Sequence, residues 1–95
     1  MVIRSFKDKD TERFFEKGTI PRKKGWIGIR KSARRKLDML NYAKNIKDLK
    51  SPPNNHLESL KGKLKGYYSI RINNQWRLIF KWNKEPYDVK IIDYH

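Results

Sequence analysis

The sequence predicts an α+β domain, with helices from the first half of the chain packed on one face of a small, mainly antiparallel β-sheet formed by the second half. Apolar residues recur three and four apart from Ile29 to Leu40, the spacing of one helix face. After Tyr67 they recur at every second position in three successive stretches, the spacing of half-buried strands. Between these regimes stands Ser51-Pro52-Pro53-Asn54-Asn55, where two prolines remove amide donors and disfavour the helical conformation in the residue ahead of them. Neither half could bury a core alone, so residues 1–95 read as one domain. A chain of 95 residues buries roughly 60–65% of its unfolded surface, enough for one modest core.

Taken in order, Val2 to Phe6 has the composition of a short strand. Asp8 or Asp10 can cap a following helix, which carries Phe14 and Phe15 as apolar anchors and ends at Gly18. Thr19 to Gly28, with Pro21, Gly25 and Gly28, reads as a loop bearing Arg22, Lys23 and Lys24. Ile29, Ala33, Leu37 and Leu40 form the stripe of a second helix, completed by Ala43 or Lys44, with Lys31, Arg34, Arg35 and Asp38 largely off it. Ile46 to Lys50 adds one more turn. In the second half, Tyr68, Ile70 and Ile72 oppose Tyr67, Ser69 and Arg71, and Trp76, Leu78, Phe80 and Trp82 oppose Arg77, Ile79 and Lys81. Val89 and Ile91 alternate with Asp88 and Lys90 in a closing strand. Asn73-Asn74-Gln75 and Asn83 to Pro86 are the turns between them. The expectation is a three-stranded meander with helices on one face and the other face free.

Charge narrows the class of partner. Lys plus Arg number 24 against 10 Asp plus Glu, a formal net charge of +14. Such an excess draws polyanions by long-range attraction and counterion release, with nucleic acid the default. Between Ile20 and Leu37 there are eight basic residues and no acid. A charge run on a helix is commonly only a solvated face, but this one forgoes the stabilising i,i+4 pairs with acids and leans towards a surface that meets polyphosphate. No basic stretch carries the long apolar face of an interfacial helix, and no window approaches the roughly 18 apolar residues of a membrane span. The first residues hold no apolar core of signal-peptide length, so a soluble cytoplasmic protein is expected. There is no cysteine, which excludes disulfides and thiolate chemistry. The two histidines have no metal-ligand spacing, and a set made of His56, Asp93 and His95 lacks it too, so neither a metal nor a cofactor is expected.

The closing strand runs into Asp93-Tyr94-His95, three side chains that exchange protons or hydrogen bonds. Chain ends usually fray, but a terminus held by a sheet can fix a side chain almost to its last residue. Cleaving RNA without a metal needs a base for the ribose 2′-OH, an acid for the leaving 5′-oxygen and cations on the phosphorane. Tyr94 and His95 can exchange the protons, Asp93 can orient a neighbour, Arg71 and Arg77 lie on the free face, and Lys61 sits in the approach to the meander. Each has a plainer reading, such as a snorkelling surface Arg77 or a core Tyr94 with a wet hydroxyl.

Several segments together carry a resemblance: Thr11-Glu12-Arg13 with Phe14-Phe15, Ala33-Arg34-Arg35-Lys36-Leu37-Asp38, Pro52-Pro53-Asn54, Leu57-Glu58-Ser59-Leu60-Lys61-Gly62, Tyr68-Ser69-Ile70-Arg71-Ile72-Asn73, Gln75-Trp76-Arg77 and Asp93-Tyr94-His95. Over essentially the whole chain the sequence resembles the HigB family of killer toxins, within the RelE/ParE toxin superfamily. The resemblance implies a RelE-like fold and a ribosome-dependent mRNA endonuclease that enters the ribosomal A site and works by metal-free 2′-OH attack. It implies catalytic roles for His95, Tyr94, Asp93, Arg77 and Lys61. Some members carry a histidine two residues before the Leu-Lys-Gly motif, where this chain has Glu58, with His56 two residues earlier; Glu58 is the favoured member of the site. Arg71, Arg22, Lys23, Lys24, Arg34 and Arg35 are the candidate RNA-binding residues, although the basic loop and helix from Arg22 to Lys36 would suit ribosomal RNA or an acidic antitoxin segment equally. The implied partners are a HigA-type helix-turn-helix antitoxin, the ribosome with its A-site mRNA, and operator DNA only through the antitoxin. Two other readings stay open: a non-enzymatic inhibitor on the same fold, of the gyrase-poisoning kind, and a basic RNA-binding or ribosome-associated protein.

Overall fold

The computed structural model describes residues 3–94. Helix α1 spans Lys9–Lys17 and helix α2 spans Arg30–Tyr42. The sheet has four strands in the order β1 (Glu58–Ser59), β2 (Tyr68–Arg71), β3 (Trp76–Asn83) and β4 (Glu85–Asp93), each antiparallel to the next. Helices pack on one face of an antiparallel sheet, the α+β architecture that the two hydrophobic periods predict.

Local chemistry sets the helix ends. The Asp8 carboxylate accepts from the Thr11 amide at 3.1 Å, satisfying one of the orphan donors of the first turn of α1. Gly18 stops the helix in the left-handed region at φ 72°, with its amide on the Phe14 carbonyl. The α2 stripe is Ile29, Ala33, Leu37, Leu40 and Ala43, all buried against the sheet. The basic loop does more than carry charge. Its Trp26 is 1% exposed and packs edge-on against Phe14, so the loop closes over the core between the helices. Thr11 pins α1 to β4, because its hydroxyl accepts from the Ile91 amide at 3.2 Å.

Strand alternation sorts side chains as the sequence foretells. Ile70, Ile72, Leu78, Phe80, Val89 and Ile91 face the helices. The opposite face differs from expectation, because it is not wholly free. Leu60, Tyr67 and Ile79 form a second small core there, with Leu64 and Ile92 against it, and the turn Gly62–Leu64 lies in the segment that covers it. Strand β1 is also additional to the meander; two residues pairing Glu58 with Ser69 and Ser59 with Tyr68 are too few to show alternation. The loop expected over Asn83 to Pro86 contracts to a hairpin tip at Lys84, at φ 66°, with Asn83 paired to Glu85. In Val2 to Phe6, the described part makes a single parallel bridge, Phe6 to Val89, flanked by backbone bonds to Pro86 and Val89. The register of β4 slips opposite Phe80, where Asp88 adopts φ 51° and its amide is taken by the Ser5 hydroxyl at 2.9 Å.

Candidate functional site

The face turned away from the helices receives the odd-numbered side chains of β2 and β3. Ser69, Arg71 and Arg77 emerge there because Ile70, Ile72 and Leu78 are drawn into the core. Arg71 and Arg77 stand directly opposite each other across the β2–β3 ladder. Like charges so placed repel, and each guanidinium therefore needs its own acceptors. Arg71 bonds the Asn74 side-chain oxygen. Arg77 donates to the Ser69 hydroxyl at 2.9 Å and to the His56 carbonyl at 3.3 Å, and forms an ion pair with Glu58 at 3.3 Å. With its side chain only 15% exposed, Arg77 is a clamped, half-sunk cation and not a snorkelling surface residue.

Tyr94 closes this arrangement. Its ring centroid lies 5.2 Å from the Arg77 guanidinium carbon, and its amide donates to the Gln75 carbonyl at 2.7 Å. Gln75 in turn donates from its side chain to Asp93 at 3.0 Å. The turn that supplies these bonds is built by Asn73, whose side-chain oxygen accepts from the Gln75 and Trp76 amides, both at 2.8 Å. Asp93 and Tyr94 are thus tethered to the β2–β3 turn. Between these groups lies a cleft of about 320 Å³ lined by His56, Arg71, Asn73, Asn74, Arg77 and Tyr94. Two guanidiniums, a phenol and an imidazole around one cleft can bind a phosphodiester and exchange protons with it.

The other predicted site residues divide. Glu58 joins the cleft through Arg77. Lys61 lines a separate cleft of about 570 Å³ with Lys65, Tyr67 and Tyr68. Asp93 lines a third cleft together with Lys23, Lys24 and Trp76. His95 lies outside the described residues, and with it one member of the His56, Asp93 and His95 set. Lys24 pairs with Asp10 at 3.6 Å, and Arg34 pairs with Asp38 at 3.4 Å while donating to the Phe15 carbonyl and covering the Phe15 ring. Arg34 is therefore a tie between α1 and α2, whereas Arg22 and Arg35 are exposed.

Two polar residues near the cleft stand outside the site favoured from sequence: His56, which ranks there behind Glu58, and Lys36. His56 adopts φ 46° after the turn Pro53–Asn55, which brings its carbonyl to Arg77 and the residue into the cleft lining. Lys36 is 6% exposed and bonds the side-chain oxygen of Asn55, itself completely buried. Asn55 also donates to the Leu49 and Ser51 carbonyls, at 3.1 and 3.3 Å, so it fastens the loop 49–55 beneath α2. Burial, and secondarily the charge of Arg35, lowers the Lys36 pKa from its usual value.

Helices on one face of a four-stranded antiparallel sheet, with paired arginines and a tethered tyrosine on the other, define a RelE-like domain. A family model described as the RelE-like toxin of type II toxin–antitoxin system HigB matches residues 4–95, and the chain belongs to that HigB-like toxin family. It is 44% identical over 81 residues to Toxin HigB-1 of Vibrio cholerae serotype O1, covering 81% of this chain and 80% of that protein. It is 41% identical over 90 residues to an uncharacterized protein of Haemophilus influenzae, covering 95% and 88% respectively. As a toxin of a type II system, it has an antitoxin as partner. Among the described residues no helix is long and apolar enough to cross a membrane.

Proposed function

We propose that the protein is a ribosome-dependent mRNA endonuclease whose own side chains supply base, acid and phosphate clamp. The observation that carries this reading is the Arg77 guanidinium, held by Ser69, His56 and Glu58 and in contact with the Tyr94 ring at the wall of a cleft of about 320 Å³. A base removes the ribose 2′-OH proton, the 2′-oxygen bonds to the adjacent phosphorus, and the P–O5′ bond breaks. The 5′-oxygen takes a proton from the acid, leaving a 2′,3′-cyclic phosphate and a 5′-hydroxyl. Arg77 and Arg71 stabilise the charge on the phosphorane oxygens. His95 and Tyr94 carry the proton transfers, and Asp93 orients the strand end through Gln75. Glu58 serves as the positioning partner of Arg77, and His56 takes the part of the upstream histidine. Lys61 contacts the RNA backbone next to the cleft.

The basic loop and helix, Arg22, Lys23, Lys24, Arg34 and Arg35, dock on ribosomal RNA, which places the protein in the cytoplasm. The cognate partner is a HigA-type helix-turn-helix antitoxin through which the complex reaches operator DNA. Expression in growing cells followed by primer extension tests the reading. Wild type should arrest growth and break translated mRNA, and His95→Ala should lower cleavage by about 10²-fold or more. Growth arrest without new mRNA ends would instead indicate a non-enzymatic inhibitor, and no arrest at all a plain RNA-binding protein.

A further inference from the structure

A second cationic cleft adjoins the first. About 260 Å³ in volume, it is lined by Ser32, Arg35, Lys36, Asn54, Arg71, Ile72 and Asn73. Arg71 and Asn73 also line the Arg77 cleft, so the two clefts share a wall. Three cations meet here, and among the described residues no carboxylate is in the lining. Lys36 is the unusual one. A lysine that is 6% exposed normally has an anion beside it, because desolvating a charge costs several kcal/mol in an apolar setting. Among the described residues its hydrogen-bond partner is a neutral amide oxygen, that of Asn55. An ammonium has three donors, and a methionine would have filled the same space without a charge to desolvate. Lys36 lines the cleft, and its ammonium is held by an asparagine that is itself locked to two carbonyls.

We propose that Lys36, with Arg35 and Arg71, forms a phosphate subsite that grips the RNA strand one phosphate away from the scissile linkage. The inference rests on reading the Arg77 cleft as the RNA-cleaving site. Arg71 spans the two clefts from its place opposite Arg77, so a strand whose scissile phosphate sits on Arg77 carries its neighbour towards Lys36. Lys36 acts by binding and not by proton transfer; it fixes the register of the strand in the cleft.

The test is binding of a short 2′-O-methyl RNA, which lacks the attacking hydroxyl, to the full chain across a potassium chloride series, followed by fluorescence anisotropy. Loss of one phosphate contact lowers the slope of log affinity against log salt by about 0.7 for a single strand. Lys36→Met should show that drop and bind roughly tenfold more weakly at low salt. Asn54→Asp, at an exposed position on the cleft wall that leaves the buried Lys36–Asn55 bond in place, should weaken binding in the same direction. It serves if Lys36→Met does not fold. Wild-type slope and affinity in a folded Lys36→Met, or in Asn54→Asp, would overturn the subsite. So would unchanged RNA binding combined with lost binding of an acidic peptide, which would assign the cleft to a protein partner. Failure of the cleavage reading appears separately, as intact mRNA on ribosomes treated with the wild type.

Discussion

Arg77 shows how a single side chain can be both structural and chemically available. Its acceptors come from three segments: Ser69 on β2, Glu58 on β1 and the His56 carbonyl between the helical and strand halves. They fix the guanidinium plane, and on the proposed mechanism a phosphodiester competes with Glu58 for N–H groups already aimed. Arg77→Lys keeps the charge and loses the fork. On the proposed mechanism it should lower mRNA cleavage by about 10²- to 10³-fold with little change in melting temperature. Cleavage within a few-fold of wild type in a ribosome assay would remove Arg77 from the chemistry. At this scale the sequence was legible in part. Arg77, Tyr94 and Glu58 were marked through their place in recognisable segments, and the structure brings them together. His56 ranks behind Glu58 on sequence because spacing alone does not show its reach, which depends on a left-handed backbone that a histidine adopts only where neighbouring turns compel it. Lys36 was passed over because it sits beside Leu37 in a run of exposed basic residues. Only the loop holding Asn55, distant in sequence, buries it.

At the scale of elements, the strongest forecasts were those with a repeating period. The α2 stripe and the inward sets of β2, β3 and β4 fall where three-four and two-residue spacing put them. Elements made by a few residues escaped: β1 is too short for a pattern, and the slip at Asp88 answers to Ser5, 83 positions away. The same contrast governs stability. Asp8→Ala removes an ordinary cap and should cost about 1 kcal/mol in urea unfolding. Asn55→Ala strips the partner from a buried ammonium and from the Leu49 and Ser51 carbonyls at once, and should cost roughly 2–4 kcal/mol. A loss for Asn55→Ala no greater than that for Asp8→Ala would show that water readily replaces the asparagine, and that the loop 49–55 is not fastened as described.

For the whole molecule the governing quantity is the charge of +14. Acids neutralise the basic run only from outside it, Asp10 against Lys24 and Asp38 against Arg34, so most of the field remains available to a polyanion. Lys24→Glu should weaken ribosome association, with the deficit shrinking as salt rises. Equal affinity at low salt would place the docking face elsewhere. Charge also sets a pH dependence. The folded Lys36 pKa lies below 10.5, so between that lowered value and 10.5 the unfolded chain binds more protons and stability rises with pH. Below the window the penalty for burying the ammonium is present in full. The stability of wild type relative to Lys36→Met should therefore improve as pH is raised from neutrality towards about 10, as read from urea midpoints; a constant difference would contradict a desolvated ammonium.

Cleavage of a defined mRNA by the purified protein, on programmed ribosomes and free in solution, tests the central claim most directly. The account predicts cuts with 2′,3′-cyclic phosphate ends on the ribosome-bound message, little cutting of the free message, and a loss of about 10²-fold or more with His95→Ala. Wild-type rates in that variant, or an uncut ribosomal message under the wild-type protein, would contradict it.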